Sequence, residues 1–153
     1  MPWRTVQWRL ACILLAGHLL LLSASGCAKP PSGPQCFPTQ GKVTLDSQPL
    51  AEAMVVLHPL APDPEDANDQ RPIAITAADG TFHLSTLKTR DGAPAGEYAI
   101  TVELREKRMD GDTEVRDGKN LLPPHYRDPA KSKLSYRVIE GDNQVPTLEL
   151  STK

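Results

Sequence analysis

Cysteine and histidine side chains are the groups in this 153-residue chain that could act as nucleophiles or bind a transition metal. They are Cys12, Cys27, Cys36, His18, His58, His83 and His125. The sequence contains neither a CxxC pair nor a Cys–His cluster, so the spacing does not predict a zinc site. His58 and His83 fall in neighbouring predicted β segments and could face each other, but hydrogen-bonded strand histidines are expected there rather than a metal pair. We therefore predict no metal site, no cofactor and no catalytic residue, and we do not expect an enzyme.

Acidic side chains are grouped in two polar segments that could offer carboxylate oxygens to calcium. Four acids lie between Asp63 and Asp69, and a second group comprises Asp110, Asp112 and Glu114. A regular ligand spacing with a glycine turn is missing. We predict solvated acidic loops, and calcium binding between Asp63 and Asp69 stays open.

Cys27 stands at the end of a segment that is typical of an export signal. Residues 1–9 contain two arginines and no acid, and residues 10–22 are then apolar except for a glycine and a histidine. This apolar run is shorter than the roughly 20 residues of a membrane-spanning helix. Small residues at 23–26 precede the cysteine, and the stretch resembles a bacterial lipoprotein signal. The resemblance implies that residues 1–26 are a cleaved signal peptide and that Cys27 is acylated.

The residues on either side of Cys27 bear on where the protein is anchored. Ala24 stands where lipoprotein signals usually have leucine, and a plain secretory signal or an uncleaved anchor is the alternative. Ala28 replaces the aspartate that retains some lipoproteins in the inner membrane. The resemblance therefore implies that the protein is anchored in the outer membrane of the bacterial cell envelope. Acyl chains on Cys27 would bind membrane lipid, since each buried methylene contributes about 0.8 kcal/mol.

The segment after the anchor is rich in proline and is expected to be a tether. Residues 27–40 contain four prolines, which favour an extended, semi-rigid conformation. Cys36 lies in this segment and is the remaining thiol once Cys12 is removed and Cys27 is acylated. The mature chain then has no internal disulfide. An incidental unpaired cysteine is expected, and an intermolecular disulfide stays open.

Charge and composition argue against two other classes of protein. The chain has 17 Lys and Arg against 19 Asp and Glu, and its basic residues do not cluster. A nucleic-acid partner is therefore not expected, because a phosphate backbone attracts clustered cations. The 15 prolines disfavour a helical bundle, since each removes a backbone donor and breaks a helix interior.

From Gly41 onward the chain alternates short β-favouring runs with turn residues, which predicts an all-β domain over residues 41–153. Seven strands are predicted, within residues 41–46, 53–59, 72–77, 81–86, 96–104, 133–141 and 145–151. The third and fourth flank Asp79-Gly80 and are expected to pair as a hairpin. Along the fifth, Ala99 and Thr101 fall on the face expected to be wet. The polar residues 105–120 are expected to form a long exposed loop.

Several groups of residues in this region match a known family of β-sandwiches. They are Gly-x-Val followed by Pro-Leu-Ala-x-Ala within residues 41–56, Thr-x-x-Asp-Gly-x-Phe at 76–82, and Pro-x-Gly-x-Tyr-x-Ile at 94–100. With these, residues 40–151 resemble the carboxypeptidase regulatory-like, or transthyretin-like, family. The resemblance implies a seven-stranded transthyretin-like (prealbumin-like) sandwich. Such sandwiches are mostly non-catalytic modules.

The resemblance also sets the functional expectation. One enzymatic branch of the transthyretin fold hydrolyses a purine-breakdown product and carries a C-terminal Tyr-Arg-Gly-Ser. This chain lacks that tetrapeptide. The most similar segment begins at His125 in a proline-flanked loop. The hydrolase is therefore the less favoured alternative. We expect a lipid-anchored cell-envelope protein that acts as a non-catalytic structural or protein-interaction module.

The alternative is a module that binds an envelope ligand or glycan. Glycan binding usually relies on exposed aromatic rings. The chain after the signal has no tryptophan, and Phe37 and Tyr126 are the aromatic residues outside the predicted core. A stacking platform for a sugar ring is therefore not expected. The partners expected are membrane lipid through Cys27 and an envelope protein or glycan that the sequence does not identify.

Overall fold

The computed structural model describes residues 33–61 and 70–153, and the regular structure of these residues is almost entirely β. The predicted signal peptide, the lipidation site Cys27 and the acidic segment between Asp63 and Asp69 lie outside the described residues. Within the described ranges, no helix is long and apolar enough to cross a membrane. The all-β prediction is confirmed.

Thirteen short strands and one 3₁₀ helix, Pro124–Arg127, make up the regular structure of the described chain. The strands are β1 (Cys36–Phe37), β2 (Thr39–Leu45), β3 (Gln48–Pro49), β4 (Met54–Pro59), β5 (Ile73–Ile75), β6 (Thr81–His83), β7 (Ala93–Pro94), β8 (Gly96–Glu103), β9 (Arg108–Asp110), β10 (Thr113–Val115), β11 (Ser135–Val138), β12 (Asn143–Gln144) and β13 (Leu148–Leu150). Each of the seven predicted segments overlaps one of them. The other six are two or three residues long, too short to show a pattern of their own.

The strands form two main sheets. The four-stranded sheet has the order β11-β8-β4-β5 and is antiparallel throughout. In the second sheet, here called the β2 sheet, β2 pairs in parallel with β12 and β13 and antiparallel with β3 and β6. Two-stranded ladders join β1 to β7 and β9 to β10.

The core consists of the apolar side chains that alternate inward along these strands. The four-stranded sheet contributes Val55, Leu57, Ala74, Tyr98, Ile100, Val102 and Val138, and the β2 sheet and its flanks contribute Val43, Phe82, Leu84, Val145, Leu148 and Leu150. Val43, Val55, Leu57 and Ile100 are completely buried. Burying each large apolar side chain contributes about 1.5–3 kcal/mol, so the core is the main source of stability.

The predicted hairpin between β5 and β6 is wrong, because the two strands belong to different sheets. β5 pairs with β4, β6 pairs with β2, and the two arms meet through a single bridge between Ile73 and Ser85. The turn between them is present, since Gly80 has a φ of 80°. A Cβ on Gly80 would lie 2.5 Å from the carbonyl oxygen of Val43. The Asp79-Gly80 turn therefore carries the chain from one sheet to the other, close against β2.

The expected wet face of β8 is dry at its centre. Ala99 and Thr101 are buried, because β8 lies between β4 and β11 and its small side chains sit among longer neighbours. The hydroxyl of Thr101 is 2.9 Å from Nε2 of His58 on β4. The side chains of β8 therefore alternate between the two faces as predicted. The prediction that the outer face is exposed to water is wrong at Ala99 and Thr101.

Residues 105–120 are mainly exposed, as expected, but they contain the β9–β10 hairpin rather than an unstructured loop. Ion pairs fix the hairpin at its base. Arg108 pairs with Asp117, and Lys107 lies 2.7 Å from Glu114 and 3.3 Å from Glu52. These pairs link the hairpin to the segment before β4, which polarity alone did not reveal.

The domain begins earlier than the predicted boundary at Gly41. β2 starts at Thr39, and β1 lies within the predicted tether, where it pairs with β7. This pairing depends on Gly92, which has a φ of 89° and whose Cβ would lie 1.7 Å from the carbonyl oxygen of Phe37. The C-terminal part of the proline-rich segment is therefore part of the folded domain.

Candidate functional site

Several carboxylates of the described chain bind the backbone of their own turns. Asp91 accepts N–H bonds from Thr86 at 2.7 Å, Lys88 at 2.8 Å and Leu87 at 3.0 Å. Burial alone raises the pKa of the Asp91 carboxyl, but these donors outweigh it and leave the pKa below its ordinary value. The hydroxyl and N–H of Thr81 likewise lower the pKa of Asp79. Such carboxylates stabilise turns and are not poised for proton transfer.

His58 and His83 do not come together, so the expectation that they could face each other is wrong. His58 is on β4 in the four-stranded sheet, whereas His83 is exposed on β6 in the β2 sheet. Nη1 of Arg71 lies 3.0 Å from Nδ1 of His58. A guanidinium only donates, so Nδ1 accepts and Nε2–H donates to Thr101. His58 is therefore a hydrogen-bonded strand histidine.

The His125-Tyr126 pair lies in the 3₁₀ helix and supports the fold. Tyr126 is buried, and its hydroxyl accepts a bond of 2.9 Å from the N–H of Ser151. The ring of exposed His125 lies 4.0 Å from that of Tyr126. Tyr126 was expected outside the core, so its burial is a correction that removes it as a sugar-stacking candidate.

Cys36 is half-buried on β1, next to Asp91. Burial, and then the negative charge of Asp91, raise the pKa of the Cys36 thiol. The thiol form is therefore favoured, and Cys36 is a poor nucleophile. Among the described residues, no three His, Cys, Asp or Glu side chains are grouped so as to hold a metal ion.

Tyr98 fixes the entry into β8 and orders one end of the four-stranded sheet. Its hydroxyl donates to the carbonyl oxygen of Pro94 at 2.9 Å. A tyrosine bonded to backbone a few residues upstream resembles the tyrosine corner found in other β-sandwiches. This bond gives the proline and the tyrosine of the Pro-x-Gly-x-Tyr motif a structural purpose.

The outer face of the four-stranded sheet, turned away from the core, is apolar over β4 and β5. Register places Ile75 beside Met54 and Ile73 beside Val56, and all four point away from the core. Ile73 and Ile75 are 41% and 58% exposed, and the other two are half-buried. We call these four residues the apolar face.

The outer face of the β2 sheet is polar by comparison. Its side chains are Gln40, Lys42, Thr44, Thr81, His83 and Gln144. Nε2 of Gln40 donates to Oε1 of Gln144 at 3.1 Å. The two outer surfaces of the sandwich therefore differ in chemistry, and the apolar face is the one that water solvates poorly.

A shallow depression lies at the C-terminal end of β4. One lobe, of about 370 Å³, is lined by residues that include Leu60, Glu97, Ser135 and Arg137. An adjoining lobe of about 590 Å³ extends between Pro59, Ala61 and Ala95. Leu60 is 60% exposed, and Nη1 of Arg137 is 4.0 Å from Oε1 of Glu97. Apolar and charged groups therefore meet at this end of the sheet.

Sequence reasoning missed this surface. In the sequence, Ile73 and Ile75 alternate with the smaller Ala74, and this pattern predicts that the two isoleucines face the core. In the structure Ala74 is buried instead. Only the pairing with β4 shows that the isoleucines point outward. The signal present in the sequence was that β4 is apolar on both of its faces.

No family model matches the chain, and no curated protein matches it. A crystal structure of a DUF3823 family protein from Parabacteroides merdae is similar with a TM-score of 0.36 and 16% identity, over 79% of this chain. The match covers 47% of that protein, so this chain spans about half its length. A likeness of this degree bears on neither the topology nor the function of this protein.

Proposed function

We propose that this protein is a lipid-anchored, non-catalytic module of the bacterial cell envelope that binds another protein through the apolar face. The observation that supports protein binding is the contrast between the two outer surfaces of the sandwich. A sheet that carried no partner would be expected to alternate apolar and polar residues. Here Ile73 and Ile75 remain exposed although the opposite outer surface is polar.

The finer family assignment is part of the same proposal. Three features support a carboxypeptidase regulatory-like, transthyretin-like sandwich. They are the Asp79-Gly80 turn against β2, the tyrosine corner at Tyr98, and the packing of Gly41 against Phe82. Each lies in one of the motifs that carry the resemblance, and each gives its motif a physical reason.

Replacing the anchor cysteine tests the membrane part of the proposal. Cys27→Ser is expected to release the protein from membrane fractions, because acyl chains supply about 0.8 kcal/mol for every buried methylene. Cys36→Ser is the matched control and is expected to stay in the membrane fraction. If Cys27→Ser remains in the membrane pellet after a salt wash, the protein is not a lipoprotein.

Charge placed on the apolar face tests the protein-binding part. Ile75→Lys is expected to weaken coprecipitation of a partner from detergent-solubilised membranes by about tenfold or more, because an isoleucine contributes about 1.5–3 kcal/mol when buried. Thr81→Lys, on the opposite outer surface, is the control and is expected to leave it intact. Equal loss in both variants, or in neither, would contradict docking through the apolar face.

The depression around Leu60 favours a second candidate, in which the protein binds an envelope glycan or other small ligand. Its volume lies in the range of small-molecule sites, and Glu97 and Arg137 could bond to hydroxyl groups. Calorimetric titration of cell-wall glycan fragments into the detergent-solubilised protein measures this directly. If glycan fragments give binding heat with the wild type and none with Leu60→Asp, the second candidate is favoured over protein docking.

A further inference from the structure

β11 is an edge strand whose outward backbone groups are open. In its ladder with β8, Leu134 accepts from the N–H of Ile100 at 2.8 Å, and Tyr136 lies opposite Tyr98. Hydrogen-bonded pairs alternate along an antiparallel ladder. The N–H and C=O groups of Ser135 and Arg137 therefore point away from β8, and within the described chain no hydrogen bond satisfies them.

The opposite edge of the same sheet is covered at Ile73. On β5, Ile73 both donates to and accepts from Ser85, each at 2.9 Å. The chain thus covers one edge of the four-stranded sheet where it crosses to the β2 sheet. The other outward residue of β5, Ile75, has no such backbone partner in the described chain, so β5 is covered at one of two positions whereas both outward residues of β11 are open.

Cations line the open edge. The side chain of Arg137 is 75% exposed, and the nearest acid, Glu97, is 4.0 Å away, which is a loose pair. Lys133 is exposed just before the strand. Lys131, by contrast, is held by Asp128 at 3.0 Å. Arg137 and Lys133 are therefore positioned to attract an acidic segment that approaches along β11.

We propose that β11 binds an extended, acidic segment of a partner protein as an added strand. Backbone bonds to Ser135 and Arg137 supply the affinity, and acidic side chains beside Arg137 and Lys133 supply the selectivity. The same cations repel basic strands, which narrows the range of segments that can pair with the edge. This inference rests on the proposed protein-binding function but uses a surface other than the apolar face.

Amide exchange measured by NMR on the intact protein in detergent micelles tests strand addition. The probe is a capped nine-residue peptide in which glutamate alternates with valine. In the free protein the Ser135 and Arg137 amides are expected to exchange fast, and saturating peptide is expected to slow both by roughly tenfold or more. A peptide with lysine in place of glutamate is the matched probe and is expected to protect neither.

Two variants at one position separate the backbone from the side chain. Ser135→Pro removes the outward N–H and leaves the ladder to β8 intact, so it is expected to weaken binding of the glutamate peptide by roughly fivefold or more. Ser135→Ala keeps the N–H and is expected to bind like the wild type. Wild-type affinity in Ser135→Pro, equal binding of the lysine peptide, or protection confined to other strands would overturn the proposal.

The same variants distinguish this inference from the proposed function. If Ile75→Lys abolishes partner coprecipitation while Ser135→Pro leaves peptide binding unchanged, the apolar face docks a protein and β11 does not accept a strand. If Ser135→Pro loses the peptide while Ile75→Lys keeps its partner, β11 is the binding site and the apolar face is not.

Discussion

A single carboxylate, Asp91, orders the turn that leads into β7. Its three backbone donors come from consecutive residues, Thr86, Leu87 and Lys88. The turn therefore forms a small concave nest of N–H groups that the chain itself fills with an anion. The sequence did not predict a role for Asp91. Its three partners are backbone N–H groups, which are the same whatever the residue type.

Asp91→Ala is expected to lower the free energy of unfolding by about 1–2 kcal/mol at neutral pH, because three donors lose a charged acceptor. Urea denaturation followed by circular dichroism measures this. Asp110→Ala, at the exposed turn of the β9–β10 hairpin, is the control and is expected to change stability by less than about 0.5 kcal/mol. Equal effects in the two variants would show that the nest is not stabilising.

The contribution of Asp91 should also depend on pH. Because the folded-state pKa is lowered, the ionised carboxylate stabilises the fold above its ordinary pKa, and this is lost as the pH falls through the lowered value. The difference in Tm between the wild type and Asp91→Asn is therefore expected to stay constant above about pH 5 and to shrink below about pH 4. A difference that grows on acidification would contradict this assignment.

Among the elements, β1 and β7 depend on close contact between two backbones. Gly92→Ala is expected to destabilise the domain by about 3 kcal/mol or more, because the methyl group would collide with the carbonyl of Phe37 and the φ is left-handed. Gly111→Ala has a similar φ but open space around it, so about 1 kcal/mol is expected. Thermal denaturation of the two variants compares them; similar losses would mean that the collision is relieved by movement of β1.

The elements also show how far the sequence predicts this fold. All seven predicted segments overlap a strand, since alternation and turn residues are local signals. Pairing is not local. The Asp79-Gly80 turn was correctly predicted. The strands on its two sides belong to different sheets, because β5 pairs with β4 and β6 pairs with β2. β1 was missed because a two-residue strand among prolines has no pattern apart from its partner.

At the scale of the whole molecule, the apolar face could not be predicted from the sequence. A local pattern does not show which side of a strand is turned towards the core. Ile73 and Ile75 look like core residues until the register of β5 against β4 is known. The open edge of β11 likewise follows from sheet order, which no single segment contains. The division into an anchor, a proline-rich segment and one β-domain stays a prediction, because the proposed anchor lies outside the described residues.

The parallel pairing of β2 with β13 has a consequence for the order of folding. Val43, near the start of the domain, pairs with Leu148, near its end, so the β2 sheet cannot close until the last strand is available. Such long-range pairing makes folding slow. If the chain is exported with its N-terminus first, as proposed, the four-stranded sheet could form before the β2 sheet, which would close only after the final residues had emerged from the channel.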